Sequence, residues 1–404
     1  MLTLREKQKL SAVIKNGYKK AAKREKTQIL DEFVANTGYN RSYARRVLGQ
    51  GKLRARKKHY SPRKRIYDLE VFYALRTLWV VADGICGQRL KPFIPELIRI
   101  LEEKKEIKLT KTVREKLSKI GSATIDRMLS ATKTSYQLKG RSTTKPGTLL
   151  RREIPVRAFA DWEETKPGFF ETDLVAFCGE SPRGDYVNGL NLTDVATGWI
   201  GLEAVMGKAQ SRVHTAIDAV RSRLPFSLLG LDPDNGTEFI NWLLKRYCDS
   251  HNITFTRIRP YRKNDNCYVE QKNYTVLRRF LGYSRYETDE QLEIIKEILK
   301  RVELYVNFFQ PNLKLKEKTR LGARVKKKYD TAKTPYQRLV ASKLLTEEQS
   351  FRLQDLYESL NPMQLRREIN KLTARLNNTL SADRRALRYK IRDLTKQDFR
   401  YIIS

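Results

Sequence analysis

At 404 residues the chain is too long for one ordinary hydrophobic core, so its length predicts two to four domains. It carries 81 Lys and Arg against 46 Asp and Glu, a net charge of +35. Such a charge indicates a polyanionic partner, and nucleic acid fits better than a membrane surface because no apolar run approaches the roughly 20 residues that span a bilayer.

The cysteines and the first residues bear on the compartment. Four cysteines without metal-ligand spacing indicate neither a zinc site nor a disulfide framework. The opening MLTLREKQKL lacks the apolar segment of a secretory signal. We therefore expect a cytoplasmic protein, associated with the nucleoid if the source is a bacterium.

The first region, residues 1 to 66, is predicted to contain a helix-turn-helix. Apolar residues recur at helical spacing on both sides of Gly38, and Asn40 can cap the second helix. The second helix would then expose four residues able to contact phosphates or guanine edges, namely Arg41, Ser42, Arg45 and Arg46. The alternative is a plain helical hairpin with a solvated basic face.

A basic arm follows this hairpin. Between Arg41 and Ile66 there are 11 Lys and Arg and no acidic residue. The run is typical of an extended arm on the DNA backbone or in a minor groove, and a flexible tail is the alternative. Its candidate DNA contacts are Arg54, Arg56, Lys57 and Lys58.

Residues 67 to 131 are predicted to form a second helical DNA-binding domain. Three apolar helices precede a break at Gly121, and Ser122 can cap a further short helix, which repeats the earlier turn pattern. Arg127 is the candidate DNA contact, although a purely structural bundle fits equally well. Residues 132 to 164 are expected to form a basic linker, because the stretch lacks an apolar period.

Residues 165 to 285 alternate between strand and helix patterns. The predicted order is three strands, helix, strand, helix, strand, helix, with the first strand at 169 to 177, the first helix at 210 to 224 and the fourth strand at 226 to 231. Asp173 lies inside the first strand, Asp234 follows the fourth, and Glu270 lies early in the last helix. Two aspartates on strands and a glutamate on a helix suit two divalent cations about 4 Å apart, because such cations take oxygen ligands.

This ordered set resembles the DDE catalytic domain of retroviral integrases and of bacterial insertion-sequence transposases. The resemblance rests on the three carboxylates, the Asp-Asn-Gly turn, and the 35 residues (235 to 269) between Asp234 and Glu270. The stretch KGRSTTKPGTLL at 139 to 150 is also similar to insertion-sequence transposases. The resemblance implies an RNase H-like core, with the helix bearing Glu270 crossing over the two aspartates.

The same resemblance implies a DNA transposase. Asp173 would bridge two Mg²⁺ ions, or Mn²⁺ as substitutes, and Asp234 and Glu270 would each complete one of them. A metal-bound water would cleave the transposon end, and the freed 3′-hydroxyl would attack target DNA. The partners would be terminal inverted repeats and target DNA, bound by a homodimer or higher oligomer. The candidate phosphate contacts near the metals are Tyr261, Arg262, Lys263 and Lys272.

Two positions depart from the family pattern. Relatives usually carry Ser where Pro233 stands, and many carry His where Phe177 stands. Two other functions stay open: a DNA-binding regulator or end-binding protein whose RNase H-like domain is structural, and a structure-specific, metal-dependent nuclease.

The C-terminal third is predicted as two regions. Residues 286 to 345 would form a helix and a small basic β module, since eight basic residues and one acidic residue lie between 313 and 328. Residues 346 to 404 would be helical, with a stripe that suits either a short coiled coil between protomers or an intramolecular hairpin. The stripe consists of Leu365, Ile369, Leu372 and Leu376.

The expected fold class is therefore multidomain α+β. Helical N-terminal DNA-binding domains with a helix-turn-helix would precede an RNase H-like α/β catalytic core, a small basic β module and a helical C-terminal tail.

Overall fold

The structure is a computed structural model. It describes residues 2–49, 66–134, 156–157, 166–233, 236–258, 269, 272–321 and 324–380. The chain divides into two compact units, Met1–Arg65 and Ile66–Ser404.

The first unit contains three helices, α1 (Leu4–Lys20), α2 (Lys23–Thr37) and α3 (Arg41–Gly49). Gly38 ends α2 in the left-handed conformation, with φ +67°, and donates its N–H to the carbonyl of Val34. The Asn40 side chain accepts a hydrogen bond from the Ser42 N–H at 2.9 Å and so caps α3. The buried core of the unit consists of Tyr18, Leu30, Phe33, Ala44 and Leu48.

The second unit begins with five helices. They are α4 (Leu69–Val81), α5 (Gly87–Glu103), α6 (Lys111–Lys119), α7 (Ser122–Met128) and α8 (Ser130–Thr134). Asp68 caps α4 and Thr110 caps α6, each accepting a hydrogen bond from a backbone N–H of the first turn. The buried face of this region belongs to the same hydrophobic core as part of the sheet and the C-terminal helices.

A five-stranded mixed sheet forms the centre of the second unit. Its strands are β2 (Phe169–Ala176), β3 (Val187–Asp194), β4 (Ile200–Met206), β5 (Gly230–Pro233) and β6 (Thr254–Phe255), in the order β4-β3-β2-β5-β6. The first three strands in sequence pair antiparallel, whereas β5 is parallel to β2 and β6 is parallel to β5. A separate parallel pair joins β1 (Val156–Arg157) to β7 (Arg257–Ile258).

Helices cover both faces of the sheet. The face of β2 that carries Phe170 and Leu174 shares a core with α9 (Gln210–Ser222) and α10 (Trp242–Ser250). The opposite face, which includes Val175 and Phe177, shares a core with three later helices. These are the π-helical α11 (Asn273–Arg278), the short α12 (Arg279–Leu281) and the long α13 (Asp289–Phe309). Asp173 lies on this second face because side chains alternate along a strand.

The chain after α13 forms a hairpin and three helices. The hairpin pairs β8 (Leu315–Leu321) with β9 (Arg324–Tyr329), and α14 (Pro335–Ala341), α15 (Glu347–Ser359) and α16 (Pro362–Asn378) follow. The leucine stripe of α16 packs against α13, with Leu365, Ile369 and Leu376 buried in the chain's own core. These positions are therefore not available for a coiled coil between protomers. No helix among the described residues is long and apolar enough to cross a membrane.

Candidate active site

Asp173 lies near the middle of β2, in the central strand of the sheet, and its side chain is half-buried. Its Oδ1 accepts a hydrogen bond from the Leu174 N–H at 2.8 Å, and its Oδ2 accepts one from Asn273 Nδ2 at 2.6 Å. Loss of hydration raises the pKa of this carboxyl above its ordinary value, because burial disfavours the charged form.

The strand beside Asp173 leads to the second predicted carboxylate. In the parallel register of β2 and β5, Glu171 stands opposite Asp232 and Thr172 stands opposite Pro233. Asp234 and Asn235 lie outside the described residues. The described part of β5 therefore ends at Pro233, one residue before Asp234. Pro233 stands beside Thr172, which directly precedes Asp173.

The segments that flank Glu270 both contact β2. Glu270 itself lies outside the described residues. Before it, the N–H of the buried Val269 donates to Glu171 Oε2 at 2.8 Å, and after it, Asn273 donates to Asp173. The chain on either side of Glu270 is thus attached to the strand face that carries Asp173.

A chain of polar side chains holds Asn273 in place. Thr193 Oγ1 donates to Asn191 Oδ1 at 3.2 Å, and Asn191 Nδ2 donates to Asn273 Oδ1 at 2.8 Å. Asn191 stands directly opposite Asp173 in the antiparallel register. The interpretation of the sequence missed both asparagines. The available signal for Asn273 was its position in the predicted helix, three residues after Glu270, since residues at that spacing share one side of a helix.

A second acidic group faces Asp173 from beyond the Asp-Asn-Gly turn. Glu238 contributes to the raised pKa of Asp173, whereas Lys208 opposes it. The two form an ion pair, with Lys208 Nζ at 3.7 Å from a carboxylate oxygen of Glu238. The sequence interpretation did not single out Glu238, although it follows Asp234 by four residues.

Asp232, the neighbouring acidic residue of the motif, is buried on β5. Its Oδ1 accepts a hydrogen bond from Thr256 Oγ1 at 2.7 Å. Asp232 and Glu171 form a cross-strand pair of buried carboxylates beside Asp173. The hydroxyl of Thr256 and the N–H of Val269 are among the donors that hydrogen-bond these buried carboxyl groups.

The predicted DNA contacts fall in different places. Arg41, Ser42, Arg45 and Arg46 are exposed on α3, in the first unit. Arg127 is exposed on α7, and its guanidinium donates to the Thr124 hydroxyl at 3.3 Å. Seven predicted contacts lie outside the described residues, namely Arg54, Arg56, Lys57, Lys58, Tyr261, Arg262 and Lys263.

Lys272 occupies a different environment from the exposed contacts. It is half-buried, and burial lowers the pKa of its ammonium group to about 7. The positive charges of Arg89 and Lys314 lower this pKa further. The charges of Arg89 and Lys314, from distant parts of the chain, therefore act on the ammonium group of Lys272, two residues after Glu270.

A metal centre was also predicted at this site. Within the described ranges, no group of three or more His, Cys, Asp or Glu side chains could hold a metal ion. Two of the three predicted ligands lie outside those ranges. The one that is described fits a hard divalent cation, because Asp173 offers carboxylate oxygens in a partly dehydrated position where a nearby cation would favour the charged form.

Comparison with known proteins gives one relative in sequence and several in structure. No family model matches the chain. "Uncharacterized protein y4rM" of Sinorhizobium fredii (strain NBRC 101917 / NGR234) is 39% identical over 338 residues, which cover 83% of this chain and 96% of that protein.

Two of the structural neighbours are catalytic cores of retroviral integrases. The BIV integrase core has 18% identity and a TM-score of 0.30, covering 44% of this chain and 95% of that one. The HTLV-2 integrase core in complex with magnesium, in a dimeric form, has 14% identity and a TM-score of 0.28, covering 36% and 90%. These two likenesses are too low to identify the activity by themselves.

Proposed function

The chain belongs to the family of the Sinorhizobium fredii protein y4rM, and because that protein is uncharacterized we propose a function from the residues of the site. It is a DNA transposase, a metal-dependent polynucleotidyl transferase that cleaves transposon ends and joins the 3′-hydroxyl to target DNA. One observation carries the proposal: Asn273, three residues after Glu270, donates a hydrogen bond to Asp173 on the central strand of the sheet.

The register of the sheet supports a role for Asp234. If pairing continued by one residue beyond Pro233, position 234 would stand beside Asp173. Neighbouring strands lie about 5 Å apart, which brings two carboxylates within reach of one shared cation.

The helix position supports a role for Glu270. Residues three apart on a helix lie on the same side, with Cβ atoms about 5 to 6 Å apart. Since Asn273 touches Asp173, a helical turn running back from Asn273 would bring Glu270 to the same carboxylate. The π-helical α11 begins at Asn273, and such segments are frequent at functional sites.

The chemistry follows from these residues. Asp173, Asp234 and Glu270 would hold two Mg²⁺ ions, or Mn²⁺, which lower the pKa of a bound water and stabilise the charge on the reacting phosphodiester. Asn273 and the N–H of Leu174 fix the Asp173 carboxylate in one orientation, so that the ligand is already in place when DNA binds. No covalent protein intermediate is needed.

The charge of the chain supports DNA as the substrate. The net charge of +35 and the exposed Arg41, Arg45 and Arg46 on α3 suit a phosphate backbone. We assign α2 and α3 as the helix-turn-helix, the segment 54 to 58 as its basic arm, and Arg127 as a further contact. The partners are the terminal inverted repeats and target DNA, bound by a homodimer or higher oligomer in the cytoplasm, at the nucleoid.

The test begins with the DNA that flanks the gene, where imperfect inverted repeats supply the end sequences. Purified protein, duplex ends and Mg²⁺ should give end cleavage and strand transfer. Glu270→Gln should abolish both steps and leave DNA binding intact, because it removes a ligand charge but keeps the size of the side chain. Glu180→Gln, at an exposed glutamate, is the matched control.

Three results would count against the proposal. Strand transfer by Glu270→Gln on pre-cleaved ends would remove Glu270 from the site. Cleavage without any strand transfer would favour a structure-specific nuclease. Specific binding of the ends without cleavage at any Mg²⁺ or Mn²⁺ concentration would favour a regulator or end-binding protein.

The DNA-binding part of the proposal has its own measurement. Deleting 54 to 58 should flatten the dependence of affinity on salt, since each lost phosphate contact lowers the log–log slope by about 0.9. Arg45→Ala should weaken binding to the element's end more than binding to random DNA. An equal loss on both would mean that Arg45 contacts only the backbone.

A further inference from the structure

The β8–β9 hairpin is strongly basic over its whole length. Between 315 and 329 it carries seven Lys and Arg and a single acidic residue, Glu317. The antiparallel register runs from Leu315 opposite Tyr329 to Leu321 opposite Arg324. The basic residues are Lys316, Lys318, Arg320, Arg324, Lys326, Lys327 and Lys328.

Both faces of the hairpin are positively charged. Lys326, Lys327 and Lys328 follow one another on β9, and all three are exposed. Successive side chains of a strand point to opposite faces, so these lysines cover both sides of the ribbon. Glu317 and Thr319 on β8 are exposed as well. The side chains that the structure describes on the two strands are therefore all exposed, and most of them are charged.

The base of the hairpin is held firmly. Arg338 forms an ion pair with Asp330 at 2.6 Å, and both side chains are more than 80% buried. Asp330 also accepts a hydrogen bond from the Lys314 N–H at 2.8 Å, and Arg338 donates to the Asn312 side chain at 2.7 Å. Since an isolated two-stranded hairpin is marginally stable in water, this base is what orients the ribbon.

The base is also attached to the sheet that carries Asp173. Lys314 Nζ donates to the Val195 carbonyl at 2.5 Å, and Asn312 Nδ2 donates to the Thr197 carbonyl at 3.2 Å, both in the turn between β3 and β4. Asp194, at the start of that turn, pairs with Phe170 on β2. Phe170 and Asp173 are three residues apart on this strand, a distance of about 10 Å.

We propose that the β8–β9 hairpin binds duplex DNA as a two-stranded ribbon in the major groove, within one helical turn of the phosphodiester at Asp173. The major groove is about 12 Å wide and admits such a ribbon. Phosphates line both of its walls, and the exposed lysines of the ribbon supply the positive charge to contact them. The seven residues of β8 extend about 23 Å. Adding the distance of about 10 Å between Phe170 and Asp173 gives about one turn of DNA.

Duplex DNA fits the hairpin better than a single strand does. Proteins that hold single strands stack the bases on aromatic side chains. The sequence from 315 to 329 contains one aromatic residue, Tyr329, at the base of the ribbon. This inference rests on the proposed function, because it names how the substrate of that same site is held.

The test compares two triple variants of the full chain. Lys326→Gln/Lys327→Gln/Lys328→Gln removes three charges from the ribbon, and Lys111→Gln/Lys300→Gln/Lys371→Gln removes three exposed lysines from helices of the same unit. Thermal unfolding checks that both variants remain folded. Affinity for a duplex end is measured against salt without a divalent cation, so that no cleavage occurs.

The ribbon variant should lower the log–log salt slope by about 2 to 3, since each phosphate contact contributes about 0.9. The helix variant should change it by less than about 1. Hydroxyl-radical footprinting should show protection lost within one turn of the cleavage point. An unchanged slope, an equal effect of both variants, an equal loss on single strands of the same length, or lost protection elsewhere would each overturn the inference.

The proposed function fails separately. If the wild-type protein does not cleave any duplex end in Mg²⁺ while the ribbon variant still lowers the salt slope, the hairpin binds DNA but the transposase assignment is wrong. If cleavage is normal and the slope is unchanged, only the role of the hairpin is wrong.

Discussion

Replacing Asp83 by Asn should strongly destabilise the second unit, because two arginines share this carboxylate. It accepts contacts from Arg279 Nε at 2.7 Å and from an Arg366 guanidinium nitrogen at 3.0 Å. The Asp83 and Arg366 side chains are only 12% and 11% exposed. The contact therefore joins the turn after α4 to α12 and to α16.

The substitution isolates the charge. Asp83 has φ +58°, a left-handed conformation that Asn adopts as readily as Asp. The amide keeps the size of the side chain but leaves two guanidinium groups without the carboxylate that they share. Removing one partner of a buried ion pair costs about 3 to 5 kcal/mol. Arg279 is 29% exposed, so the lower end, about 3 kcal/mol, is expected.

Urea unfolding followed by tryptophan fluorescence measures the effect. Trp79 lies against the turn that holds Asp83 and donates its indole N–H to the Ile85 carbonyl at 2.9 Å, so it reports on this region. The control is Asp68→Asn. Asp68 pairs with Lys116 and is 49% exposed, and Asn can still cap α4, so a much smaller cost is expected.

A cost for Asp83→Asn as small as that of the control would refute the electrostatic reasoning. A second readout follows from the position of Arg279, directly after the helix that begins at Asn273. Loosening this helix should reduce end cleavage more than DNA binding.

Three further predictions concern the base of the hairpin and the metal ligands. Gly198→Ala should cost about 1 to 3 kcal/mol in thermal unfolding, because φ is +75° and the new Cβ would clash with Asn312 Nδ2. The control is Gly17→Ala, whose new Cβ meets nothing within 4 Å and should not destabilise the protein. Burial lowers the pKa of Lys314 to about 8, so the folded state binds fewer protons than the unfolded state between pH 8 and 10.5. The stability of the wild-type protein should therefore rise across that window by up to about 3 kcal/mol relative to Lys314→Met. Parallel pH profiles of the two proteins would contradict this. Asp234→Asn should abolish cleavage in Mg²⁺, with at most partial rescue in Mn²⁺, whereas Asp232→Asn should keep a measurable rate; a dead, folded Asp232→Asn beside an active Asp234→Asn would reverse the ligand assignment.

Periodicity in the sequence was sufficient for the first strand of the sheet and for the helix that follows its first three strands. The first strand was expected at 169 to 177 and lies at Phe169–Ala176, and the helix expected at 210 to 224 lies at Gln210–Ser222. The expected order of three strands, helix, strand, helix and strand agrees with the structure. Local pattern works here because alternation and helical spacing are properties of neighbouring residues.

The fourth strand shows where local pattern is insufficient. The apolar run 226 to 231 was expected to be a strand, but β5 begins at Gly230. Phe226 instead stacks on Phe170, with ring centroids 5.9 Å apart, and packs edge-on against Trp199. An apolar run can bury its side chains from a loop as well as from a strand, and only the surrounding packing decides between the two.

Partners distant in sequence were decided by the tertiary structure alone. The leucine stripe of α16 indicated a buried face, but nothing in its spacing named α13 as the surface that covers it. Asn273 and Asp173 are 100 residues apart and meet only because α11 lies over β2. Asp83 likewise reaches Arg279 and Arg366 across most of the chain. Spacing along a chain shows which face of an element is buried, whereas the group that meets that face depends on how the elements pack in three dimensions.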